Sequence, residues 1–415
     1  MSLAYGIGLL VDLAELLLFL FAVYYFGISA FSLFSPRRAA QPQQEVGEPY
    51  HRRFAVVIPA HNEEAVIGAA IDSIFASAYP RDRFAVYVMA DHCTDTTEQI
   101  ARQHGAVVLY PSGPSRGKGA ALADAFAQLS ASDAYDCIAV MDADNVADPR
   151  FLSEINDCFE GGARIVQGYI DSKNPNAGWL ANAYSIWYWI ENRLASLARS
   201  RLGLGVLLRG TGFAADIELL RALPFPTQGL AEDAEYTLML SLQDISAAWA
   251  HKAVVYDEKP TQMLVSIRQR IRWMQGIADV EGRYTGRLLR SRKFHMLLAL
   301  WQDTLCPVCV CLFTVLYILA TCSLCRLHTF QVAELWTAPF NYVLLSIYVW
   351  GNLLLTAAAL IIDKKLSRTV ICNVFGFLLY IISWIPIGVI GLLRHTKKDW
   401  YHTEHTGSGV MKERR

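Results

Sequence analysis

Four long apolar stretches divide this 415-residue chain and restrict its fold more than any other feature. They cover residues 7–34, 304–324, 340–362 and 370–393. Because about 20 apolar residues are enough to cross a bilayer as a helix, each stretch is long enough to be a membrane helix. Only 18% of the residues are charged, whereas soluble domains reach about 25%. The chain is therefore predicted to be a multi-pass membrane protein.

The first stretch is predicted to remain in the membrane as an anchor rather than to be removed as a signal peptide. Its basic residues, Arg37 and Arg38, follow the apolar run instead of preceding it, and no small-residue cleavage site is evident. Together with Arg52 and Arg53 they place the next domain in the cytoplasm by the positive-inside rule. The expected location is the plasma membrane.

The three later stretches conflict with that rule. One crossing before a cytoplasmic domain and three after it would leave the C-terminal tail outside, yet the tail and residues 363–368 are both basic. We therefore expect one of these stretches to lie in the interface or to re-enter the membrane. Pro386 interrupts the stretch 370–393, and Pro307 interrupts the stretch 304–324. The sequence leaves open which of the stretches does not cross the membrane.

Between the apolar stretches, short apolar runs alternate with amphipathic helical patterns. Four runs, at 54–59, 84–90, 107–110 and 136–140, read as strands, and Asn62 is expected to cap the first helix. Parallel strands need crossover helices of this kind, so the pattern predicts an α/β domain with a mostly parallel sheet. Further strands are expected at 165–170 and 253–256, and a long aromatic-rich helix at 179–201.

Charge and cysteine content exclude other classes of protein. The formal net charge of −1 gives no basis for nucleic-acid binding. The nine cysteines are scattered, and those that cluster at 306–325 lie in an apolar stretch without histidine. Free thiols are therefore expected rather than a disulfide framework or a zinc site.

Asp142 and Asp144 follow the fourth predicted strand. Residues i and i+2 of a strand point the same way, so the two carboxylates can share one ligand at the strand's carboxyl end. Two hard oxygen donors suit Mg²⁺ or Mn²⁺ bridging to a phosphate. Taken alone, the pair is also what a solvated turn would contain.

Four other segments allow a functional and a structural interpretation. The loop 113–119 carries Lys118 but departs from the phosphate-loop pattern. Residues 232–235 hold three carboxylates at a helix start, where the macrodipole favours acids. Residues 268–276 contain three arginines and a tryptophan, as a basic helix on a membrane surface would. Glycines within 207–213 suit a backbone that approaches a ligand closely.

In this order, the segments resemble those of the membrane-embedded family-2 glycosyltransferases with a GT-A catalytic fold. That family includes synthases of cellulose, hyaluronan, poly-N-acetylglucosamine and lipochitin oligosaccharides. The matching pieces are Ile58-Pro59-Ala60-His61-Asn62-Glu63, Ala90-Asp91, Gly117-Lys118-Gly119, Asp142-Ala143-Asp144, Glu232-Asp233 and Gln269-Arg270-Ile271-Arg272-Trp273, the last fitting Gln-x-x-Arg-Trp.

The resemblance implies a role for each matching residue. The donor nucleotide-sugar would be bound by Pro59, Ala60, Glu63, Asp91, Lys118, Asp142, Ala143, Asp144, Gln269, Arg272 and Trp273. The metal ligands would be Asp144 and Asp142, and the catalytic pair Asp233 as general base with Glu232. Acceptor contacts would come from Trp273, Gly210, Thr211 and Gly212. In the tail, a gating segment that covers the donor would contain Trp400, Thr403 and His405.

The resemblance also implies an organisation along the chain. One residue departs from the family pattern, since Ala231 stands where threonine usually precedes the Glu-Asp pair, which matters little if Asp233 performs the chemistry. The expected parts are a membrane helix (1–35), a linker (36–53), a cytoplasmic GT-A domain (54–265), interfacial amphipathic helices (266–295), C-terminal transmembrane or interfacial helices (296–394) and a gating-like tail (395–415).

The implied activity is inverting transfer from a nucleotide-diphospho-sugar, expected to be a UDP-sugar, that elongates an extracellular polysaccharide processively. The metal and Arg272 would stabilise the leaving nucleoside diphosphate. Two alternatives stay open: transfer of one sugar to a lipid acceptor, and a non-catalytic nucleotide-sugar receptor. The expected partners are the donor, a growing glycan or lipid acceptor, and membrane lipid. The sugar, the linkage, the product length and any accessory membrane subunit or homo-oligomer are left open.

Overall fold

The computed structural model describes residues 3–34, 51–114, 117–226, 229–324 and 339–395. Most of the predicted linker 36–53 and nearly all of the tail 395–415 lie outside these ranges. The same holds for the predicted gating residues Trp400, Thr403 and His405.

A mixed eight-stranded sheet forms the centre of the α/β domain. Its strands are β1 (Phe54–Ala60), β2 (Phe84–Ala90), β3 (Val107–Leu109), β4 (Cys137–Val140), β5 (Val146–Ala147), β6 (Ile165–Ser172), β7 (Phe213–Asp216) and β8 (Ala248–Asp257). They lie in the order β3-β2-β1-β4-β7-β6-β8-β5. The first four are parallel, as are β6 and β8, whereas β7 and β5 run against their neighbours. The predicted mostly parallel sheet is confirmed.

Helices cover both faces of this sheet because the central strands are apolar on both sides. Phe54, Val56 and Ile58 of β1 face one layer, made by α2 (Ile67–Phe75), α3 (Thr97–Gln103) and α5 (Phe151–Glu160). Ala55 and Val57 face the other layer, made by α4 (Lys118–Ser130), α8 (Ile217–Ala222) and α9 (Glu232–Leu242). The alternation follows from the two-residue period of a strand.

The expected cap at Asn62 is wrong. Helix α2 begins at Ile67. The residue at its N-cap position is Val66, which makes no side-chain capping hydrogen bond. Asn62 has a φ of 57°, a left-handed conformation that asparagine tolerates better than most residues. Its Oδ1 accepts the Thr94 backbone N–H at 2.7 Å. The residue therefore ties the loop after β1 to the loop after β2 instead of starting the helix.

A long helical rod crosses from the sheet to the membrane helices. Helix α6 (Trp179–Ile190) continues through a π-helical segment (Glu191–Leu197) into α7 (Ala198–Arg201). The long helix expected over 179–201 is thus present, with one wider segment inside it. Such π-helical segments are rare and are frequent at functional sites.

Among the residues that the structure describes, four helices are long and apolar enough to cross a membrane: α1 (Leu3–Phe34), α11 (Phe294–Leu324), α12 (Pro339–Ile362) and α14 (Val374–Leu393). Between the α/β domain and α11 lies α10 (Met263–Arg290), and the short α13 (Arg368–Cys372) precedes α14. Helices α1, α11 and α12 pack on one another through side chains such as Phe19, Phe313 and Tyr348. The GT-A-like domain is therefore inserted between membrane helices, as predicted.

Helix α14 lies along α6 and α10, and it also packs against α11 of that bundle, near Val310 and Cys311. At its start, Asn373 Nδ2 donates to the Trp179 carbonyl at 2.8 Å. At its end, the Arg394 carbonyl accepts from Gln275 Nε2 at 3.1 Å. In between, Tyr380 and Trp384 pack into the same hydrophobic cluster as residues of α6 and α10. The two ends of α14 are therefore hydrogen-bonded to α6 and to α10, respectively.

The chain also returns to the α/β domain after α12. Arg193 of the π-helical segment forms an ion pair with Asp363, and both side chains are about nine-tenths buried. Lys365 Nζ lies 2.5 Å from Asp171 Oδ2, at the end of β6. These contacts place the connection between α12 and α13 against the α/β domain.

Candidate active site

A cleft of about 320 Å³ opens at the carboxyl edge of the sheet. Strands β1, β2, β4, β6 and β8 all end there, and open α/β sheets bind ligands at this edge. Ligand sites typically enclose about 300–1,000 Å³. The predicted site residues that line the cleft are Pro59, Ala60, Glu63, Asp91, Lys118, Asp142, Ala143, Asp144, Gly210, Thr211, Glu232, Asp233, Gln269, Arg272 and Trp273.

Gly212 is not among the residues that line the cleft. Its N–H donates to the Val140 carbonyl at 2.9 Å, and its own carbonyl accepts the Gly168 N–H at 2.7 Å. Its φ of +63° suits glycine, and a Cβ there would lie 2.7 Å from Val255 Cγ2. The structure therefore places Gly212 inside the sheet, where it permits close approach of the strands.

Carboxylates crowd one end of the cleft. Asp144 is 8% exposed, and burial together with Asp257 and Asp142 raises its pKa well above the usual value. Burial, with Asp142 as a neighbour, raises the pKa of Glu63 to about 8. Like charges in a low-dielectric site oppose one another's ionisation. This end of the cleft therefore favours a cation.

Asp257 is a member of this group that the sequence motifs did not include. It ends β8, and pairing of Val146 with Tyr256 brings it next to Asp144. Asn145 lies between the two acids: its amide nitrogen is 2.8 Å from Asp144 Oδ1 and 3.2 Å from Asp257 Oδ1, while its oxygen accepts from Thr211 Oγ1 at 2.8 Å. In the sequence, Asp257 is an acid that follows a predicted strand. Only the order of the strands in the folded sheet shows that it lies next to Asp144.

Lys118 separates the acidic end from the middle of the cleft. It stands at the N-terminus of α4, and its Nζ lies 2.5 Å from Asp142 Oδ1 and 2.9 Å from the Gly210 carbonyl. Burial opposes its charge, but the carboxylates of Asp142, Glu232 and Asp233 outweigh burial and raise its pKa. Lys118 is therefore a fixed cation between Asp142 and Asp233.

Asp233 lies in the first turn of α9. Its Oδ1 accepts the Ala234 N–H at 2.8 Å. Oδ2 faces Gly210, whose φ is +77°, and a Cβ on that glycine would lie 3.4 Å from Oδ2. Burial, with Glu232 nearby, raises the pKa of Asp233 to about 6. Among the described residues no group donates a hydrogen bond to Oδ2, so this oxygen is open there. The open oxygen and the pKa near neutrality both suit a general base.

A cluster of Arg209 with the two acids Glu191 and Asp303 was not predicted from the sequence. Arg209 Nη1 donates to Asp303 Oδ2 at 2.6 Å, and Nη2 donates to Glu191 Oε1 at 2.9 Å. All three residues line the cleft. Glu191 begins the π-helical segment and Asp303 belongs to α11, so the cluster joins three elements that are distant in sequence. No local motif marks it, apart from the unusual charge of Asp303 in an apolar stretch.

Three tryptophans also line the cleft. Trp384 of α14 stacks on Trp273 with ring centroids 6.5 Å apart and planes at 18°. It also stacks on Trp187 of α6 at 6.0 Å and 30°. All three line the cleft, so the Gln-x-x-Arg-Trp segment of α10 reaches it together with a helix from the apolar C-terminal region.

Comparison with known proteins gives one family match. The profile described as glycosyltransferase like family 2 matches residues 51–276, more than half of the chain. The probable glycosyltransferase YdaM of Bacillus subtilis (strain 168) is 24% identical over 273 residues, which cover 60% of this chain and 61% of that protein. The beta-monoglucosyldiacylglycerol synthase of Synechocystis sp. is 28% identical over 243 residues, which cover 55% and 48%. The chain thus spans less than two thirds of the length of these curated relatives.

A solved structure shares the fold. The mannosyltransferase PcManGT from Pyrobaculum calidifontis, in complex with GDP-Man and Mn²⁺, superposes with a TM-score of 0.53. The superposition covers 91% of this chain and 99% of that one, at 17% sequence identity. The two chains therefore share a fold.

Proposed function

From the premise that this chain belongs to the glycosyltransferase like family 2, we propose that it is a membrane enzyme that transfers a sugar from a nucleotide-diphospho-sugar to a hydroxyl acceptor with inversion. One observation carries the proposal. Asp142 and Asp144 line the same cleft as Lys118, Asp233 and Arg272, which come from three other segments of the chain. The receptor alternative would not need a general base with an open oxygen and a pKa near neutrality.

The acidic end of the cleft fits Mg²⁺ or Mn²⁺. Hard carboxylate oxygens are the ligands these ions prefer. The pKa of Asp144 is raised first by burial and then by the neighbouring acids Asp257 and Asp142, and a bound cation would offset both effects. Within the described part of the chain, no three such side chains already stand at metal-binding geometry. Asp144 and Asp142 would hold the ion, with Asp257 beside them. When bound, it would neutralise charge on the donor's diphosphate.

The donor would lie between the acidic end and the Gln-x-x-Arg-Trp segment. Pro59, Ala60, Glu63 and Asp91, at the ends of β1 and β2, would border the base and ribose. Lys118, Gln269 and Arg272 would contact the diphosphate. Cations fixed where the leaving group gains charge stabilise the transition state without reorganisation.

Asp233 would act as the general base. Its open Oδ2 takes the proton of the acceptor hydroxyl while the acceptor oxygen forms a bond to the donor's anomeric carbon. The bond from that carbon to the diphosphate oxygen breaks, and the nucleoside diphosphate leaves with the electron pair. Attack opposite the leaving group converts an α-linked donor, such as a UDP-sugar, into a β-linked product.

Two acceptors are proposed, each with its own observation. Processive elongation of an extracellular polysaccharide is favoured by the Gln269 to Trp273 segment in the cleft wall. Transfer of one sugar to a lipid is favoured by the membrane-type helices α11 and α14, which supply Asp303 and Trp384 to the same cleft. The name of the Synechocystis relative supports the second. The proposed location is the plasma membrane, with the α/β domain in the cytoplasm.

Purified membranes incubated with radiolabelled nucleotide-sugars and Mn²⁺ or Mg²⁺ would test the proposal. Products would be sized on a gel and digested with linkage-specific hydrolases. A long polymer supports elongation, and a lipid with one added sugar supports single transfer. Nucleotide-sugar binding without transfer from any donor would replace both proposals with the receptor.

A further inference from the structure

Arg199, at the end of the helical rod, is a buried cation outside the cleft. It belongs to α7, is 3% exposed and does not line the cleft. Its Nε donates to the Gly205 carbonyl at 3.0 Å. Within the described chain, its buried Nη1 and Nη2 form no hydrogen bond, and no acid forms an ion pair with it. Since a guanidinium stays charged and a lone buried charge is unfavourable, Arg199 offers two charged donors to an anion.

Tyr24 of α1 connects this guanidinium to the protein surface. Its hydroxyl interacts with Arg199, but without the geometry of a hydrogen bond. The same hydroxyl lies 3.0 Å from Nδ1 of the exposed His295, whose ring stacks on that of Tyr24. Asp303, an acid that interacts with the adjacent Tyr25, is bound to Arg209 instead. Arg199, Tyr24 and His295 therefore form a row of polar groups from the interior to the surface.

Helix α1 changes its surroundings at Tyr24. The side chains before it are 46–58% exposed and apolar, as lipid-facing residues would be: Leu13, Leu16, Leu17, Leu20 and Val23. After it the helix is bound to the rod, where Ser29 Oγ donates to the Leu194 carbonyl at 3.2 Å. His295 is the second residue of α11. Because tyrosines are common where membrane helices leave the hydrocarbon core, this row of groups lies at the level of the lipid headgroups.

The surface next to His295 is basic. Arg290 and Arg292 are exposed just before α11, while Lys293 forms an ion pair with Asp244. Basic side chains beside a membrane helix attract anionic lipids without binding any one group. They would bring anionic headgroups to the place where Arg199 has two donors to offer.

We propose that Arg199, Tyr24 and His295 form a site for the phosphate group of an anionic membrane lipid. Guanidinium groups bind phosphate through two parallel N–H···O bonds, and Arg199 has both Nη atoms available for them. The Tyr24 hydroxyl would donate a third bond, once its side chain has rotated away from the guanidinium. The acyl chains would lie along the exposed apolar side chains of α1.

A lipid bound there would fix one end of the rod to the membrane. The same rod carries Trp187 and Glu191, which line the cleft. The lipid site itself needs only the membrane helices and Arg199. It would therefore be present whether or not the protein transfers sugar.

Lipid binding tests the site without turnover. Delipidated full-length protein in dodecyl maltoside would be titrated with radiolabelled phosphatidylglycerol, which is anionic, and with phosphatidylcholine, which is neutral overall. We expect phosphatidylglycerol to bind at least about tenfold more tightly, as charge-assisted bonds to phosphate predict. Arg199→Met should remove that preference, and Tyr24→Phe should weaken phosphatidylglycerol binding at least about threefold. Equal binding of the two lipids to the wild type would overturn the site.

Stability distinguishes a binding role of Arg199 from a packing role. Because a lone buried cation costs free energy, Arg199→Met should melt at the same temperature as the wild type or higher when only phosphatidylcholine is present. Added phosphatidylglycerol should raise the melting temperature of the wild type and leave that of the variant unchanged. A variant that melts lower than the wild type in phosphatidylcholine would mean that Arg199 serves packing, and would overturn the site.

Arg290→Gln is the matched control, because it removes an exposed positive charge close to the same membrane helix. Its affinity for phosphatidylglycerol should stay within about twofold of the wild type, as for a charge that attracts lipid diffusely. Equal losses in Arg290→Gln and Arg199→Met would refute a specific site.

Inorganic phosphate and glycerol 3-phosphate, added as competitors, separate the two sources of a phosphate group. We expect neither to displace the radiolabelled lipid at millimolar concentration, because they lack the acyl chains that lie along α1. Displacement at the concentration where the lipid itself binds would assign the site to a soluble phosphate compound and overturn the lipid.

Discussion

At the scale of single residues, Asp233 combines an open oxygen with a raised pKa. We expect Asp233→Asn to lower kcat by about 10²–10⁴-fold, the usual contribution of a general base. The donor Kd should stay within about threefold, because the amide keeps the size and the Ala234 hydrogen bond. Initial rates and donor titrations on purified protein would measure both. Unchanged turnover in this variant would remove Asp233 from its assigned role.

The same carboxylate predicts a pH dependence. Since the base must be ionised and its pKa is raised to about 6, kcat should fall as pH drops through about 6 and level off above it. An acid limb near the ordinary aspartate value of about 4 would contradict the burial seen at Asp233. Rates at saturating donor from pH 5 to 8 would locate the limb.

Asp144 predicts the metal dependence. Replacing it with asparagine removes a charged oxygen from the acidic end, so the Mn²⁺ concentration giving half-maximal rate should rise at least tenfold. Asp82→Asn is the matched control, because that side chain is 83% exposed and outside the cleft. An equal metal requirement in both variants would mean that Asp144 is not a ligand.

Sequence motifs predicted the residues of the cleft that stand in short local segments. Asp142 and Asp144 are two positions apart on one strand end, so their proximity follows from strand geometry. Arg209, Glu191 and Asp303 could not be found this way, because only packing of the rod and α11 against the sheet brings them together. Trp384 escaped for the same reason, since its apolar stretch carries no sign of a neighbouring site.

At the scale of elements, α10 must approach the start of α9 closely. A Cβ on Gly276 would lie 2.8 Å from the Leu230 carbonyl carbon and 2.9 Å from the Ala231 nitrogen. These are backbone atoms just before Asp233, so Gly276→Ala should destabilise the fold by about 1–3 kcal/mol and lower kcat.

Gly286→Ala on the same helix is the control. In the part of the chain that the structure describes, no atom beyond the adjacent backbone of its own helix lies within 4 Å of a Cβ placed there. Alanine should therefore stabilise α10 by up to about 1 kcal/mol through its helix propensity. Thermal melts of both variants would compare them, and equal melting temperatures would show that α9 and α10 are not tightly packed.

Elements with one dominant period were predictable. The alternation of apolar strands and amphipathic helices gave the bounds of β2 and the parallel part of the sheet. The antiparallel β7 was not evident, because its sequence Phe213–Asp216 has no local sign of direction. The π-helical segment was also invisible, since a wider turn leaves the apolar pattern of the helix almost unchanged.

At the scale of the whole molecule, α14 suggests how the topological conflict is resolved. If α1, α11 and α12 cross the membrane and α14 lies along its surface, residues 363–368 and the tail are on the side of the α/β domain. That arrangement satisfies the positive-inside rule. It also agrees with the contacts of Asn373 and Arg394 at the two ends of α14.

Labelling with a membrane-impermeant maleimide tests this topology. Cys372 is exposed just before α14, and Asp82→Cys and Lys412→Cys would add reporters to the α/β domain and the tail. All three should react in inverted vesicles and stay unreactive in right-side-out cells. Reaction of Lys412→Cys in intact cells alone would show that α14 crosses the membrane.

If α14 lies on the membrane surface, the bilayer contacts a helix that supplies a residue to the cleft. One of its faces carries Trp384 into the cleft, and the other exposes apolar side chains such as Phe375, Leu379 and Leu393. Helices that lie in the headgroup layer respond to curvature and lipid composition. Lateral pressure and headgroup packing would then bear directly on a side chain of the binding pocket. In that arrangement, the surrounding lipids contact a helix that forms part of the cleft wall, so they can influence the shape of the cleft.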